Sequence, residues 1–430
     1  MKKIFTVLML LSGVAYGQTN LKPKVNQKAE SIEQKVIEWR RDFHQHPELG
    51  NQEFRTAKIV ADHLRSLGIE VQEEVAVTGV VGILKGGKPG PTVALRADMD
   101  ALPVTERTDV PFKSTVTTEY NGQKIGVMHA CGHDTHVAML MGVAEVLSSM
   151  QKDLKGTVKF IFQPAEEGIH EEGVDSWGAK QMVEEGVMKG VDAVFGLHIN
   201  SATEVGTFKY RSGPAMAAVD NLKITVNGRQ AHGAAPWASV DPIVTASQII
   251  TGLQTILSRS VNITENPAVV TIGAINGGVR QNIIPEKVEM IGTIRTFGES
   301  QQELVHKRIK EVATKIAESA GATADVEIQK MYPSTINDPA LTERMIKTLN
   351  QVAGTENALG HDPITGAEDF SYYQREAPGL FIFLGGMPKG ADPAQVASHH
   401  TPDLYLDEGG FVLGMKILSH LTLDYFDGKK

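Results

Sequence analysis

Five stretches in this chain carry apolar runs of strand length: "VVGILKG", "TVALRAD", "TVKFIFQPAEEG", "AVFGLHI" and, much later, "GLFIFLGG". A strand with one wet face alternates apolar and polar residues. A near-continuous apolar run must be covered on both faces. Helical stretches such as "HVAMLMGVAEVLSSM" and "AKQMVEEGV" lie between several of these runs. Apolar strands alternating with helices predict an α/β fold, with a mostly parallel sheet flanked by helices. Upstream, "QKAESIEQKVIEWRRDFHQHPELG" reads as an amphipathic helix ending before Pro47. "EFRTAKIVADHLRSLG" reads as a second helix, stopped at Gly68.

The pattern changes near Gly213. "NLKITVNG" alternates like a half-exposed strand, and the helix "DPIVTASQIITGLQTILSRS" follows. Then come "AVVTIGAING", "KVEMIGTIRT" and the helix "SQQELVHKRIKEVATKIAESAG". That order suits a compact α+β domain with an antiparallel sheet. From about Ser334 the α/β pattern resumes. We therefore read one discontinuous domain, 18–210 and 331–430, split by an inserted domain at 211–330. A chain of 430 residues fits such a division, at ~150 residues per domain.

The first residues, "MKKIFTVLMLLSGVAYGQTN", combine two lysines, an apolar run from Ile4 to Val14 and the small residues Ala15 and Gly17. This is the pattern of a signal peptide over 1–17, cleaved near Gly17. The run falls short of the ~20 residues that span a bilayer. The expectation is an exported protein, periplasmic or secreted, with no membrane attachment after cleavage. A net charge of −9 argues against nucleic acid as a partner.

Ionisable side chains gather just after the strands. Asp98 and Asp100 follow "TVALRAD", Glu166 and Glu167 follow "KFIFQPA", and His198 sits in "AVFGLHI". "GLFIFLGG" leads towards "SHHTPD" with His399 and His400. In open α/β sheets ligands bind at that edge. The stretch "MHACGHDTH" adds His129, Cys131, His133 and His136, and Cys131 is the only cysteine of the chain. A lone thiol in an exported protein is a buried bystander, an intermolecular link, a nucleophile or a metal ligand. Thiolate, imidazole and carboxylate together favour zinc-like divalent cations. Cys131 and His133 can both point into one site from a turn at Gly132, and the thiolate can bridge two ions. One carboxylate of the Glu166–Glu167 pair can bind metal while the other takes a proton from water. Spacing alone does not say which of the two does which. Nor does it choose between His399 and His400, and Asp98 and Asp100 are both chemically able to bind metal.

The pieces "RRDFHQHPELGNQEFRT", "ALRADMDALPVTE", "MHACGHDTHVAMLMG", "FQPAEEG", "GLHI", "AHGAAP", "QNIIPEKVEMIGTIRT", "GAEDFSYY" and "SHHTPD" span nearly the whole chain after the leader. In that order the chain resembles the M20 metallopeptidases, in the branch with hippurate hydrolases and plant auxin-conjugate hydrolases. The resemblance implies a zinc-peptidase-like domain with an inserted lid and dimerisation domain. It implies two divalent ions per subunit (Zn, Mn, Ni or Co), held by Cys131 as the bridge and by His133, Glu167, His198 and His400. It makes Glu166 the general base and Asp100 a carboxylate that orients the site. His232 in "AHGAAP" would polarise the scissile carbonyl from a partner subunit of a homodimer, and Asn282 in "QNIIP" would help hold substrate. Asp403 is a mild departure, since relatives often carry Glu or an aromatic residue there. His44, His46, His129, His136 and His399 are read as structural, Glu171 and Glu172 as a solvated loop, and Tyr372 and Tyr373 as packing near the site. The expected activity is hydrolysis of the amide bond of N-acyl amino acids or short peptides. The rival expectation is a non-catalytic exported protein that binds metal or peptide on the same fold.

Overall fold

In the computed structural model, residues 20–169, 174 and 176–428 are described. The proposed leader and the acidic loop at Glu171 and Glu172 lie outside them. The strands Lys155–Gln163, Lys88–Asp98, Ala193–Glu204 and Gly379–Met387 lie side by side in that order and run parallel. They form the centre of an eight-stranded sheet. Gly79–Lys85 and Glu70–Val75 extend one side antiparallel. Phe208–Tyr210 and Ala358–Gly360 extend the other.

The apolar runs are explained by two-sided burial. Leu95, Phe160, Phe195 and Leu380 enter a core under the helices Lys22–Ser31, Glu33–Gln45, His133–Ser148 and Phe411–Phe426. Their strand neighbours Ala94, Ile161, Val194 and Phe381 enter a second core on the opposite face, with Met182 and Tyr373. The expected N-terminal helix is broken at Ile32 into Lys22–Ser31 and Glu33–Gln45. The break leaves Val25, Ala29, Ile32, Val36 and Phe43 all buried. Glu70–Val75 has the sequence EVQEEV, and its charges leave it mostly exposed as an edge strand.

From Ala218 to Tyr332 the chain builds a separate antiparallel sheet. Its strands are ordered Val269–Asn276, Lys287–Thr296, Ala218–Asn227 and Thr323–Tyr332. The helices Pro242–Arg259 and Glu299–Ser319 pack on it over a core that includes Ile224, Leu253, Met290 and Ile309. Gly213–Met216 and Thr335–Asn337 pair antiparallel, so the chain leaves and re-enters the large sheet side by side. Among the described residues no helix is long and apolar enough to cross a membrane.

Candidate metal centre

The order of the parallel strands reverses around Lys88–Asp98. The next strand, Lys155–Gln163, lies on one side of it and Ala193–Glu204 on the other. A crevice forms at the carboxyl ends of strands at such a point, and the candidate residues converge there. Cys131, His133 and His198 offer donor atoms within 4.8 Å of one another. So do Cys131, Glu167 and His400, and so do His133, Glu166 and Glu167. Cys131 is central: the Nε2 atoms of His198 and His400 each lie 3.3 Å from its Sγ. Gly132, at φ +94, makes the turn between Cys131 and the helix that begins at His133. A Cβ there would lie 2.6 Å from Ile199 and 2.7 Å from Leu406. The positive φ favours glycine there, and any side chain would press on these two apolar neighbours.

Hydrogen bonds orient each imidazole. His133 donates Nδ1–H towards the carbonyl of Asp100 at 3.0 Å and its carboxylate at 3.1 Å. Its Nε2 then faces the cluster, buried and without a hydrogen-bond partner. His198 donates Nδ1–H to the carbonyl of Ile199 at 2.5 Å, which leaves Nε2 for Cys131 and a metal. The two neighbouring histidines at the end of the chain separate clearly. His399 accepts from the Ser201 N–H with Nε2 and meets the Cys131 carbonyl with Nδ1. Both of its nitrogens are used. His400 instead turns Nε2 to Cys131 and, at 2.9 Å, to Glu167 Oε1. That approach lacks hydrogen-bond direction and leaves Glu167 Oε1 without a hydrogen-bond partner. His400 has φ +63, a conformation costing a non-glycine residue roughly 1–2 kcal/mol.

Asp98 is held by other side chains, although with His133 and His136 it also offers donor atoms within 4.8 Å of one another. Its Oδ2 lies 2.6 Å from Arg96 and its Oδ1 2.5 Å from His136 Nδ1. His136 in turn accepts the Ile199 N–H on Nε2 at 2.8 Å, so this histidine braces the strand that carries His198. Asp100 orients His133 and also accepts the Glu167 N–H at 2.8 Å. His44 bonds Asp134 and Glu106, and His46 bonds the Asp42 carbonyl. His129 is buried with both ring nitrogens unpaired. The Tyr372 hydroxyl donates to the Met331 carbonyl, and the Tyr373 hydroxyl contacts Met182. Neither tyrosine bonds to the cluster.

The electrostatics call for cations. Burial would lower His133, but Asp98, Asp100 and Glu167 outweigh it and push it up to about 10. Burial pushes the Cys131 thiol well up, with Glu167 and Glu166 adding to it. Burial holds His198 well below the usual imidazole range, with His136 and His399 adding, so its ring stays neutral. Glu166 is pushed well up by burial and by Glu368, Glu167 and Asp369. The unpartnered His133 Nε2 and the thiol, imidazole and carboxylate donors around it fit divalent cations, whose uptake would release protons from Cys131 and His133.

His232 and Asn282 lie together on the inserted domain. His232 pairs with Ile283, and the Gly233 N–H donates to the Asn282 carbonyl at 2.8 Å. His232 is exposed and accepts the Ala234 N–H on Nδ1, so its Nε2 carries the proton. Among the described residues, neither its ring nor the Asn282 side chain bonds to the cluster within one chain. Several residues around the site had no role assigned from sequence. Arg96 is fully buried and holds Gln163, Asp98, Glu368 and Asp369. The pair Glu368–Asp369 lies in the quoted motif "GAEDFSYY", yet only the fold brings it to Arg96. Tyr332 donates its hydroxyl to the Glu166 carbonyl at 2.8 Å.

Thiolate, imidazole and carboxylate donors facing one another at the carboxyl edge of a parallel sheet define a metal-dependent hydrolase. The chain belongs to peptidase family M20/M25/M40, which matches residues 94–424. It is thus an enzyme of a family that acts on amide bonds. It is 42% identical over 406 residues to thermostable carboxypeptidase 2 of Saccharolobus solfataricus, covering 94% of this chain and 98% of that one. It is 36% identical to IAA-amino acid hydrolase ILR1-like 2 of Arabidopsis thaliana, covering 97% and 91%. Among solved structures, a dinuclear metal-binding M20 peptidase of Bacillus subtilis superposes with a TM-score of 0.76 at 35% identity, covering 93% and 99%.

Proposed function

We propose that this protein is an exported amidohydrolase or carboxypeptidase that hydrolyses the amide bond of N-acyl amino acids or short peptides. The observation that carries the reading is Cys131 between two imidazoles at 3.3 Å, with the Glu166–Glu167 pair beside it. Cys131, His133, Glu167, His198 and His400 would hold the divalent ions. When bound, such ions would acidify a water and polarise the substrate carbonyl. Glu166 takes the proton of the attacking water and passes it to the departing amine. Its Oε2 lies 4.0 Å from His133 Nε2, at the edge of the donor set. Asp100 holds His133 in register. His232, with its proton on Nε2, supports the developing oxyanion from the partner subunit of a homodimer, and Asn282 beside it contacts substrate.

The test is metal analysis of the purified protein, followed by assay with hippurate-like, N-acetyl and dipeptide substrates and added Mn, Co, Zn or Ni. Turnover that disappears with a chelator supports the reading. Bound metal without turnover on any member supports a binding protein instead. The shared-site arrangement has its own test. Mixing Glu166→Ala with His232→Ala protein should restore activity at roughly a quarter of the sites, through hybrid dimers. No recovery despite confirmed subunit exchange would favour a monomer or an action of His232 in cis.

A further inference from the structure

The turn that presents Glu166 and Glu167 is an improbable one. Ala165, just before the pair, has φ +50 and is fully buried. A buried alanine in this region is held there by its surroundings. The Glu166 carbonyl is bound by Tyr332 and the Glu167 N–H by Asp100. The remaining hold comes from far away in sequence. Glu53 is fully buried, and its Oε1 accepts the Ala165 N–H at 2.8 Å. Its Oε2 accepts from the Thr78 hydroxyl, which anchors the carboxylate from behind. The segment carrying Glu53 also lies flat against the turn: a Cβ on Gly50 would come within 2.2 Å of the Gly168 carbonyl oxygen and 3.1 Å of the Ala165 Cβ. The same segment bonds the turn after Asp100, since the Ala101 N–H donates to the Glu48 carbonyl at 2.8 Å.

We propose that Glu53 is the positioning residue of the Glu166–Glu167 turn, acting as the fixed acceptor for the Ala165 N–H. It touches no substrate. What it supplies is an oxygen in one place, and its charge is not required. Glutamine at 53 keeps Oε1 for Ala165 and offers its amide N–H to the Thr78 oxygen. Aspartate keeps the charge but withdraws the oxygen by one methylene, so the Ala165 N–H is left buried and unpaired.

The experiment compares Glu53→Gln, Glu53→Asp and Glu53→Ala in the full chain. Amide hydrogen exchange over residues 165–168 is measured on the metal-free protein, and kcat and KM on the metal-loaded one. Glu53→Gln should keep wild-type protection and kcat within about threefold. Glu53→Asp and Glu53→Ala should lose protection at this turn while the central strands stay protected. Their kcat should fall by at least about tenfold with KM changed much less. Wild-type protection of the turn in Glu53→Asp, or loss of it in Glu53→Gln, overturns the proposal. Should Glu53→Ala fail to fold, the Gln and Asp pair still decides. The kcat readout rests on the proposed role of Glu166. The exchange readout does not, so an enzyme without the expected activity would still test the clamp.

Discussion

Replacing Glu166 by glutamine will lower kcat by about 10²–10⁴-fold while metal content stays at the wild-type level. Glutamine keeps the size and both polar atoms of the side chain but cannot take a proton from water. The structure makes this test sharp, because Glu166 and Glu167 both lie within reach of His133. They differ in what else they face. Glu167 approaches His400 at 2.9 Å. Glu166 faces the Glu368–Asp369 side and is 3.5 Å from the Asp369 N–H. Metal analysis beside the kinetics separates their roles. If Glu166→Gln loses an ion along with its activity, Glu166 is a ligand and not the base. If it keeps substantial turnover, the assignment fails outright.

The largest effect on stability is expected at Arg96. Its guanidinium is fully buried and meets Asp98 at 2.6 Å, Glu368 at 2.8 Å and Asp369 at 2.9 Å. Burial alone would raise Asp98, but Arg96, His133 and His136 outweigh it and hold this carboxyl well below the usual range. Burial keeps Glu368 and Asp369 raised in spite of Arg96. Arg96→Met strands these carboxylates in the core and should cost about 3–5 kcal/mol, lowering Tm by about 5–15 °C. The deficit relative to wild type should shrink as pH falls. In the wild type Asp98 stays an anion until the pH drops through its lowered value. Without Arg96, burial favours its protonated form, which needs no counter-charge, so the variant takes up this proton at higher pH than the wild type. Arg96→Lys should recover only part of the loss, because a point ammonium cannot span four partners. Thermal unfolding at several pH values checks both statements. A Met variant as stable as wild type at neutral pH would show that the cluster is not held by this charge.

The parallel sheet was legible because burial on both faces leaves a continuous apolar run. The edge strand Glu70–Val75 was not, because an edge exposed to water carries charges that hide its extended form. Candidate donors such as Asp98, Asp100, Glu166 and Glu167 were legible because they follow strand ends, but which of the candidates would hold metal came only from the family resemblance. The choice between His399 and His400 was not legible from spacing. It depends on Ser201 and the Cys131 carbonyl, which only the fold brings to His399. Arg96 and Glu53 escaped for a related reason. Arg96 sits inside an apolar strand, and its partners at 163, 368 and 369 lie far along the chain. Glu53 looks like an ordinary acidic residue before a helix until Ala165 is placed on it.

The layout of the donors also sets an order of events during folding. His400 approaches Cys131 from 269 residues further along the chain, and the whole inserted sheet is made in between. Closing so long a loop is entropically costly and slow. The first donors, Cys131, His133 and His198, come from neighbouring elements, but the last arrives only when Gly379–Met387 has joined the sheet. Metal ions held by the five proposed donors would therefore be late arrivals, and would stabilise the finished fold rather than template the early chain.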